Sequence, residues 1–116
     1  MNSDDTGHTP DWAARGCTLP PSRLLARTAE FDTLFAESVQ SIERPERTRV
    51  RLELRPGGLA ASRAAELAAA ETECCSFFTF TLTAAAGRLI LDVSVPPTHE
   101  ASLNLLAARA AACVAT

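Results

Sequence analysis

The spacing of apolar residues predicts an amphipathic helix over residues 27–43. Apolar side chains recur there at steps of three and four, which places them on one face of a helix. This face consists of Phe31, Leu34, Phe35, Val39 and Ile42. We expect Thr28 to cap the start of the helix and Pro45 to end it.

Three later segments alternate between apolar and polar residues, and each predicts a strand with one buried face and one face in water. They are residues 48–55, 77–83 and 88–95. A short turn at residues 84–87 joins the last two, so these two strands form an antiparallel hairpin.

Two alanine-rich segments predict further helices, because alanine has the highest helix propensity. The first covers residues 60–75, between the first two strands. The second is capped by Thr98 and continues to about Val114, with an apolar stripe of Leu103, Leu106 and Ala110.

The predicted order α-β-α-β-β-α gives an α+β fold. Because every strand has one wet face, we expect a two-layer sandwich with helices on one face of a three-stranded, antiparallel or mixed sheet. The expected strand order is 1-3-2, as in a truncated ferredoxin-like unit. Residues 1–16 are polar and predict a disordered tail, which leaves residues 17–116 as a single domain.

Composition and charge exclude several classes of partner. The chain has 116 residues and a net charge of −3, and its basic residues, all arginine, are interleaved with glutamate where they cluster over residues 43–55. A nucleic-acid partner is not expected, because phosphate binding needs a clustered basic surface. We also expect no membrane span and no signal peptide, hence a cytoplasmic protein with reduced thiols.

The candidate chemistry lies where the second predicted helix meets the second strand. Cys74 and Cys75 are adjacent there, and Glu71 precedes them by three and four residues, so all three side chains project from one side of the last helical turn. Adjacent helical side chains diverge by about 100°. A helix that frays at Cys75 would therefore be needed for both thiols to bind one ion.

Thiolates select soft ions, so the expected cargo is Hg(II), Zn(II), Cu(I) or As(III), and no organic cofactor is indicated. Most geometries need a third ligand. Cys17 is the candidate, because the two prolines that follow it in CTLPP hold it in a defined direction. The predicted metal ligands are therefore Cys17, Glu71, Cys74 and Cys75.

The expected local field disfavours a reactive thiolate. A helix C-terminus is negative, and Glu71 and Glu73 add negative charge, so both effects raise the pKa of a nearby cysteine. A bound cation reverses this effect. The location thus favours metal binding over nucleophilic catalysis.

The chain resembles a group of small, uncharacterised bacterial proteins. These share the CTLP segment at Cys17–Pro20, an AEFD-x-LF helix at Ala29–Phe35 and an E-T-x-C-C-S-F-F-T-F-T-L block at Glu71–Leu82. The shorter form E-x-x-C-C-x-F-x-x-F resembles proteins associated with metal-responsive, mercury-resistance-type regulators. The resemblance implies that the CTLP cysteine, the cysteine pair and its glutamate belong to one motif set.

Three functional hypotheses follow. The first is a soft-metal or metalloid-binding protein for sequestration, delivery or sensing. The second is a thiol-dependent enzyme, a redox protein or organometal lyase, with Cys74 and Cys75 as thiols and Glu71 as proton donor. The third is a structural or partner-binding module in which the cysteines only pack. The sequence leaves open whether the chain forms a homodimer through a sheet edge or an alanine-rich helix.

Overall fold

The computed structural model describes the backbone of residues 21–115, and the predictions that concern the tail and Cys17 lie outside these residues. Three α-helices, four β-strands and one 3₁₀ turn follow one another along this part of the chain. In order they are α1 (Pro21–Ser38), β1 (Val39–Glu46), β2 (Arg49–Leu54), α2 (Gly58–Cys74), β3 (Thr79–Ala85), β4 (Arg88–Ser94), the 3₁₀ turn Pro97–His99 and α3 (Glu100–Ala115).

The four strands form one antiparallel sheet in the order β1-β2-β4-β3. The three strands expected from the sequence are β2, β3 and β4, and the third of them lies in the middle, as the order 1-3-2 predicts. The expected number of strands is wrong, because β1 adds a fourth at the free edge of β2.

The alternation of apolar and polar residues places one face of the sheet against the helices. In the central strands, Leu52 pairs with Leu91 and Val50 pairs with Val93, and all four side chains are buried. The opposite face carries charged side chains, with Arg51 paired to Asp92 at 3.3 Å and Arg88 paired to Glu53 at 2.9 Å. The described chain is therefore an α+β protein compatible with two layers.

The core lies between this sheet and apolar stripes of all three helices. The buried side chains of α1 are Thr28, Phe31, Leu34 and Phe35, those of α2 include Ala64 and Leu67, and those of α3 are Ser102, Leu103, Leu106 and Ala110. Each fully buried Leu or Phe contributes about 1.5–3 kcal/mol through removal of its surface from water. The apolar stripe predicted for the last helix is thus confirmed.

The ends of two helices differ from the sequence prediction. Helix α1 begins at Pro21 and ends at Ser38, so Thr28 lies inside the helix, where it is buried, and does not cap it. Proline is favoured in the first turn, where its missing N–H has no helical acceptor. Thr98 lies within the 3₁₀ turn, and α3 begins at Glu100.

The largest error of the sequence prediction is the segment from Val39 to Glu43, which was expected to be the end of the first helix. It belongs to strand β1, which is paired antiparallel with β2. Val39 and Ile42 pair with Leu54 and Leu52, and a register shift lies between Val39 and Ser41. Their spacing of three residues, which is typical of a helix, arises here from an irregularity in the strand.

Candidate metal centre

Helix α2 ends at the cysteine pair, and this end brings the candidate ligands together. Along its buried stripe, Ala64 and Leu67 are followed at helical spacing by Glu71 and Cys74. The helix stops at Cys74, and Cys75 adopts φ −123° and ψ 82°, while its N–H still donates to the Glu71 carbonyl at 2.7 Å. The sequence placed Cys75 inside the helix, and its departure from helical geometry is the one that both thiols would need in order to bind one ion.

The Oε of Glu71 and the two Sγ atoms form a compact group. One ligand atom from each of Glu71, Cys74 and Cys75 lies within 4.8 Å of the others. Two sulfurs of a tetrahedral zinc site with Zn–S bonds of about 2.3 Å lie roughly 3.8 Å apart, so this spacing suits ligands of one ion after small rotamer changes. Among residues 23–114, this is the group of His, Cys, Asp and Glu side chains that satisfies such spacing.

The group is almost fully enclosed. Glu71 and Cys75 have no exposed surface, and Cys74 retains 9 % exposure. Glu73, between them in sequence, is exposed, as expected for a residue on the other side of the helix. An ion that approaches from solvent would therefore meet Cys74 before Cys75.

Arg27 of α1 lies across the group from α2. Its Nη1 donates to Glu71 Oε1 at 3.1 Å and to Cys74 Sγ at 3.7 Å. Burial lowers the pKa of this guanidinium, but the hydrogen bonds to Glu71 and Cys74 outweigh burial and leave the pKa raised. The group thus contains a fixed positive charge that balances the glutamate.

The second carboxylate oxygen of Glu71 does not take part in the contact with Arg27. Oε2 is buried and has no hydrogen-bond partner within the part of the chain that the structure describes. Buried carboxylate oxygens are normally hydrogen-bonded, and leaving a buried acceptor unsatisfied costs about 1–3 kcal/mol. Such an atom beside two thiols is a ready ligand for a cation.

The thiol of Cys74 is held by the helix that carries it. Its Sγ lies 3.7 Å from the Ala70 carbonyl oxygen and 3.6 Å from that of Glu71, so the S–H donates back to the last turn of α2. These are long contacts, and a thiol is a weak hydrogen-bond donor. They are broken without much loss when the sulfur becomes a ligand.

Two phenylalanines, Phe77 and Phe78, follow the cysteine pair in the chain. The N–H of Phe78 donates to the Cys75 carbonyl at 3.2 Å, and Phe78 itself is buried in the main core. The neighbouring ring of Phe77 stacks on His99, with centroids 4.0 Å apart and an interplanar angle of 1°. The phenylalanines therefore act as core residues.

Cys113 of α3 belongs to a different contact, with Asp32 of α1. Its S–H donates to Asp32 Oδ1 at 3.6 Å, and Arg109 binds the same carboxylate at 2.9 and 2.7 Å. Burial raises the pKa of the Cys113 thiol, and the negative charge of Asp32 raises it further. This thiol is a natural control for the cysteine pair.

Sequence reasoning identified Glu71, Cys74 and Cys75 but missed Arg27. A signal existed, because Arg27 precedes Phe31 by four residues and Leu34 by seven and therefore lies on the buried face of α1. A charged residue on a buried face requires a partner of opposite charge. Glu71 on the buried stripe of α2 is that partner.

Among the residues that the structure describes, no helix has both the length and the apolar character needed to cross a membrane. Comparisons of the chain with protein-family models, with curated proteins and with solved structures found no match.

Proposed function

We propose that this protein binds a soft metal or metalloid ion, with Glu71, Cys74 and Cys75 as ligands. The observation that carries the proposal is the buried group itself, with its ligand atoms within 4.8 Å of one another and one carboxylate oxygen without a hydrogen-bond partner among the described residues. Cysteines that only pack would not need a buried carboxylate beside them. Two thiols bind soft ions in preference to the hard ions that oxygen ligands prefer.

Charge balance favours a divalent ion at these three ligands. With neutral thiols, the charges of Glu71 and Arg27 cancel within the buried group. A divalent ion that displaces one proton from each thiol leaves this net charge unchanged. Because burying net charge is unfavourable, Hg(II) and Zn(II) suit the group better than Cu(I), which would leave it one unit negative.

A third thiolate is needed for As(III), and Cys17 is the residue that we propose for it. Four residues of extended chain span at most about 14 Å, which bounds the distance from Cys17 to Pro21 at the start of α1. Arg27 lies about 9 Å further along this helix, at a rise of 1.5 Å per residue. Cys17 is thus near enough in the chain to meet the group if the segment turns back along α1.

The resemblance to proteins associated with mercury-resistance-type regulators supports a role in sequestration, delivery or sensing of such an ion in the cytoplasm. Enclosure of the ligands fits sequestration and delivery, since both require that a bound ion be shielded from competing thiols in solution. Sensing would require a change of shape or partner on binding.

Titration of the purified, reduced protein with Hg(II), Zn(II), Cu(I) and As(III), followed by gel filtration and elemental analysis, tests the proposal. We expect one divalent ion per chain. Cys74→Ser and Cys75→Ser abolish this binding, and Glu71→Gln weakens it by at least about tenfold, the smallest loss expected even for a residue that only supports the ligands. Cys17→Ser abolishes As(III) binding but only weakens Hg(II) binding.

Cys113→Ser is the control, because this thiol is half-buried and lies in another contact, with Asp32, whereas Cys74 and Cys75 are buried. It should bind ions as the wild type does. If Cys74→Ser and Cys75→Ser bound as tightly as the wild type, the proposed metal site would be excluded.

The contact between Arg27 and Cys74 favours a second candidate, a thiol-dependent enzyme. The expectation of an unreactive thiol counted only negative charges, whereas a guanidinium that donates to a sulfur stabilises its thiolate. Cys74 would then be the nucleophile and Glu71 the proton donor of an organometal lyase. Turnover of an organomercurial that is lost in both Cys74→Ser and Glu71→Gln would support this candidate, and stoichiometric binding without turnover would exclude it.

A further inference from the structure

A cleft between α1 and α2 lies beside the metal-binding group. Its volume is about 650 Å³, within the range of small-molecule sites. The α1 side presents Arg23, Arg27, Glu30 and Thr33, and the α2 side presents Arg63, Glu66, Leu67 and Ala70.

The cleft and the metal-binding group share one residue and one helical stripe. Arg27 lines the cleft while its Nη1 contacts both Glu71 Oε1 and Cys74 Sγ. On α2, Ala70 lines the cleft, and its carbonyl oxygen accepts the S–H of Cys74, one turn further along the helix. Arg27 and Ala70 therefore connect the cleft to Cys74, which does not itself line the cleft but is the one ligand of the three that keeps some exposure.

The charges of the cleft define what it would recognise. Arginine guanidinium groups bind carboxylates through paired hydrogen bonds, and glutamates bind ammonium groups. The cleft offers three arginines and two glutamates, of which Arg27 is paired with Glu71 and Arg63 with Glu37. This mixture of both charges suits a small molecule that carries carboxylate and ammonium groups together.

We propose that this cleft binds a small amino-acid-type thiol, which delivers the ion to Cys74 and Cys75 as its thiolate complex. The inference rests on the proposed function, because it assigns the donor of the ion for the same site. In a reducing compartment a soft ion is carried by thiolates, so a site that receives such an ion must accept a thiol complex.

The transfer is a ligand exchange without oxidation or reduction. Cys74 attacks the ion first, a bond from the ion to one carrier sulfur breaks, and the proton of Cys74 passes to that leaving thiolate. Cys75 then repeats the exchange with the second carrier sulfur. Two carrier thiols leave, two sulfur–metal bonds replace two others, and the ion keeps its charge.

The experiment compares two carriers of the same ion on the full chain. Hg(II) is supplied as its bis-glutathione complex, which carries carboxylates and ammonium groups, or as its bis-2-mercaptoethanol complex, which carries neither. Intact-protein mass spectrometry of samples quenched with acid measures the rate at which the chain gains mercury. We expect transfer from the glutathione complex to be faster and to saturate with carrier concentration, and transfer from the other complex to stay linear.

Two exposed arginines of the cleft provide the variants, and a third outside it provides the control. Arg23→Gln and Arg63→Gln should each slow transfer from the glutathione complex by roughly two- to tenfold, as expected for loss of a charged hydrogen bond near solvent. Transfer from the mercaptoethanol complex should not change. Arg47→Gln removes the same charge outside the lining of the cleft and should leave both rates as in the wild type.

Equal rates for the two carriers, or equal slowing by all three variants, would overturn the carrier site. The proposed metal site would still be supported in that case, provided that the chain gains mercury only when Cys74 and Cys75 are both present. If mercury uptake did not depend on these two cysteines with either carrier, the proposed function and the carrier site would both be wrong.

Discussion

Arg27 and Glu71 form the most buried ion pair within residues 23–114, with side-chain exposures of 12 % and 0 %. We expect Arg27→Gln to lower the free energy of unfolding by about 3 kcal/mol, because it leaves a buried carboxylate without its counter-charge. Glu71→Gln should cost only about 1–2 kcal/mol, since the amide oxygen still accepts from Arg27 and the guanidinium retains some contact with water. Urea unfolding followed by circular dichroism measures both.

A second ion pair provides the control for this prediction. Arg88 binds Glu53 with two hydrogen bonds at 3.0 and 2.9 Å, but its side chain is 58 % exposed. Because exposed pairs contribute little, Arg88→Gln should change the free energy of unfolding much less than Arg27→Gln does. Equal losses from Arg27→Gln and Arg88→Gln would show that the Arg27–Glu71 pair is not buried as described.

At the residue scale, the sequence predicts ligands better than it predicts their counter-charge. Glu71 and Cys74 lie three residues apart in one helix, so local periodicity is enough to place them together. Arg27 comes from another helix, 44 residues before Glu71, and only the packing of α1 on α2 joins them. Contacts of this kind depend on the tertiary fold and leave only an indirect trace in the sequence.

At the level of elements, regular alternation is what made strands predictable. Strands β2 and β4 bury every second side chain without interruption, and both were predicted within one or two residues of their ends. Strand β1 breaks this rule, because its register shifts between Val39 and Ser41 and again between Glu43 and Glu46. Apolar residues three apart then face the same side, so the local pattern is that of a helix.

The missing strand also explains why the architecture was predicted only in part. Strand β1 lies at the edge of the sheet beside β2, so its loss from the prediction left the order of the other three strands correct. The likeness to a truncated ferredoxin-like unit stays a prediction. The predicted strand order depended on one central strand, β4, which pairs with β2 on one side and with β3 on the other.

The turn between β3 and β4 gives a prediction at this scale. Ala86 and Gly87 form a two-residue loop with φ of 54° and 75°, between the paired residues Ala85 and Arg88. Positive φ at both positions is typical of a type I′ turn, for which Asn-Gly is preferred. Because alanine is strained at positive φ, Ala86→Asn should raise the free energy of unfolding by about 0.5–1 kcal/mol.

Gly87→Ala is the companion variant and should have the opposite effect. A Cβ at this position meets no heavy atom within 4 Å, so only backbone strain opposes the substitution. We expect a loss of about 1 kcal/mol in the same urea unfolding experiment. A stabilising Gly87→Ala would show that the backbone of the turn differs from the one described.

At the scale of the whole molecule, ion binding and folding are linked. The proposed ligands come from the end of α2, and their counter-charge comes from α1, so the complete site exists only when these elements are packed. An ion that binds the folded chain alone stabilises it by about 2.7 kcal/mol at a free concentration one hundred times the dissociation constant. Thermal unfolding with increasing buffered Zn(II) should therefore show a rising midpoint.

The variants separate this linkage from nonspecific effects of the ion. Cys113→Ser should show the same rise as the wild type, whereas Cys74→Ser and Cys75→Ser should show none. Arg27→Gln should start from a lower midpoint yet still rise, because its ligands remain and a divalent ion supplies positive charge beside Glu71 in place of the lost guanidinium. If Zn(II) lowered the midpoint in every variant, the ion would bind the unfolded chain more tightly than the folded one, and the group at the end of α2 would not be a preformed metal site.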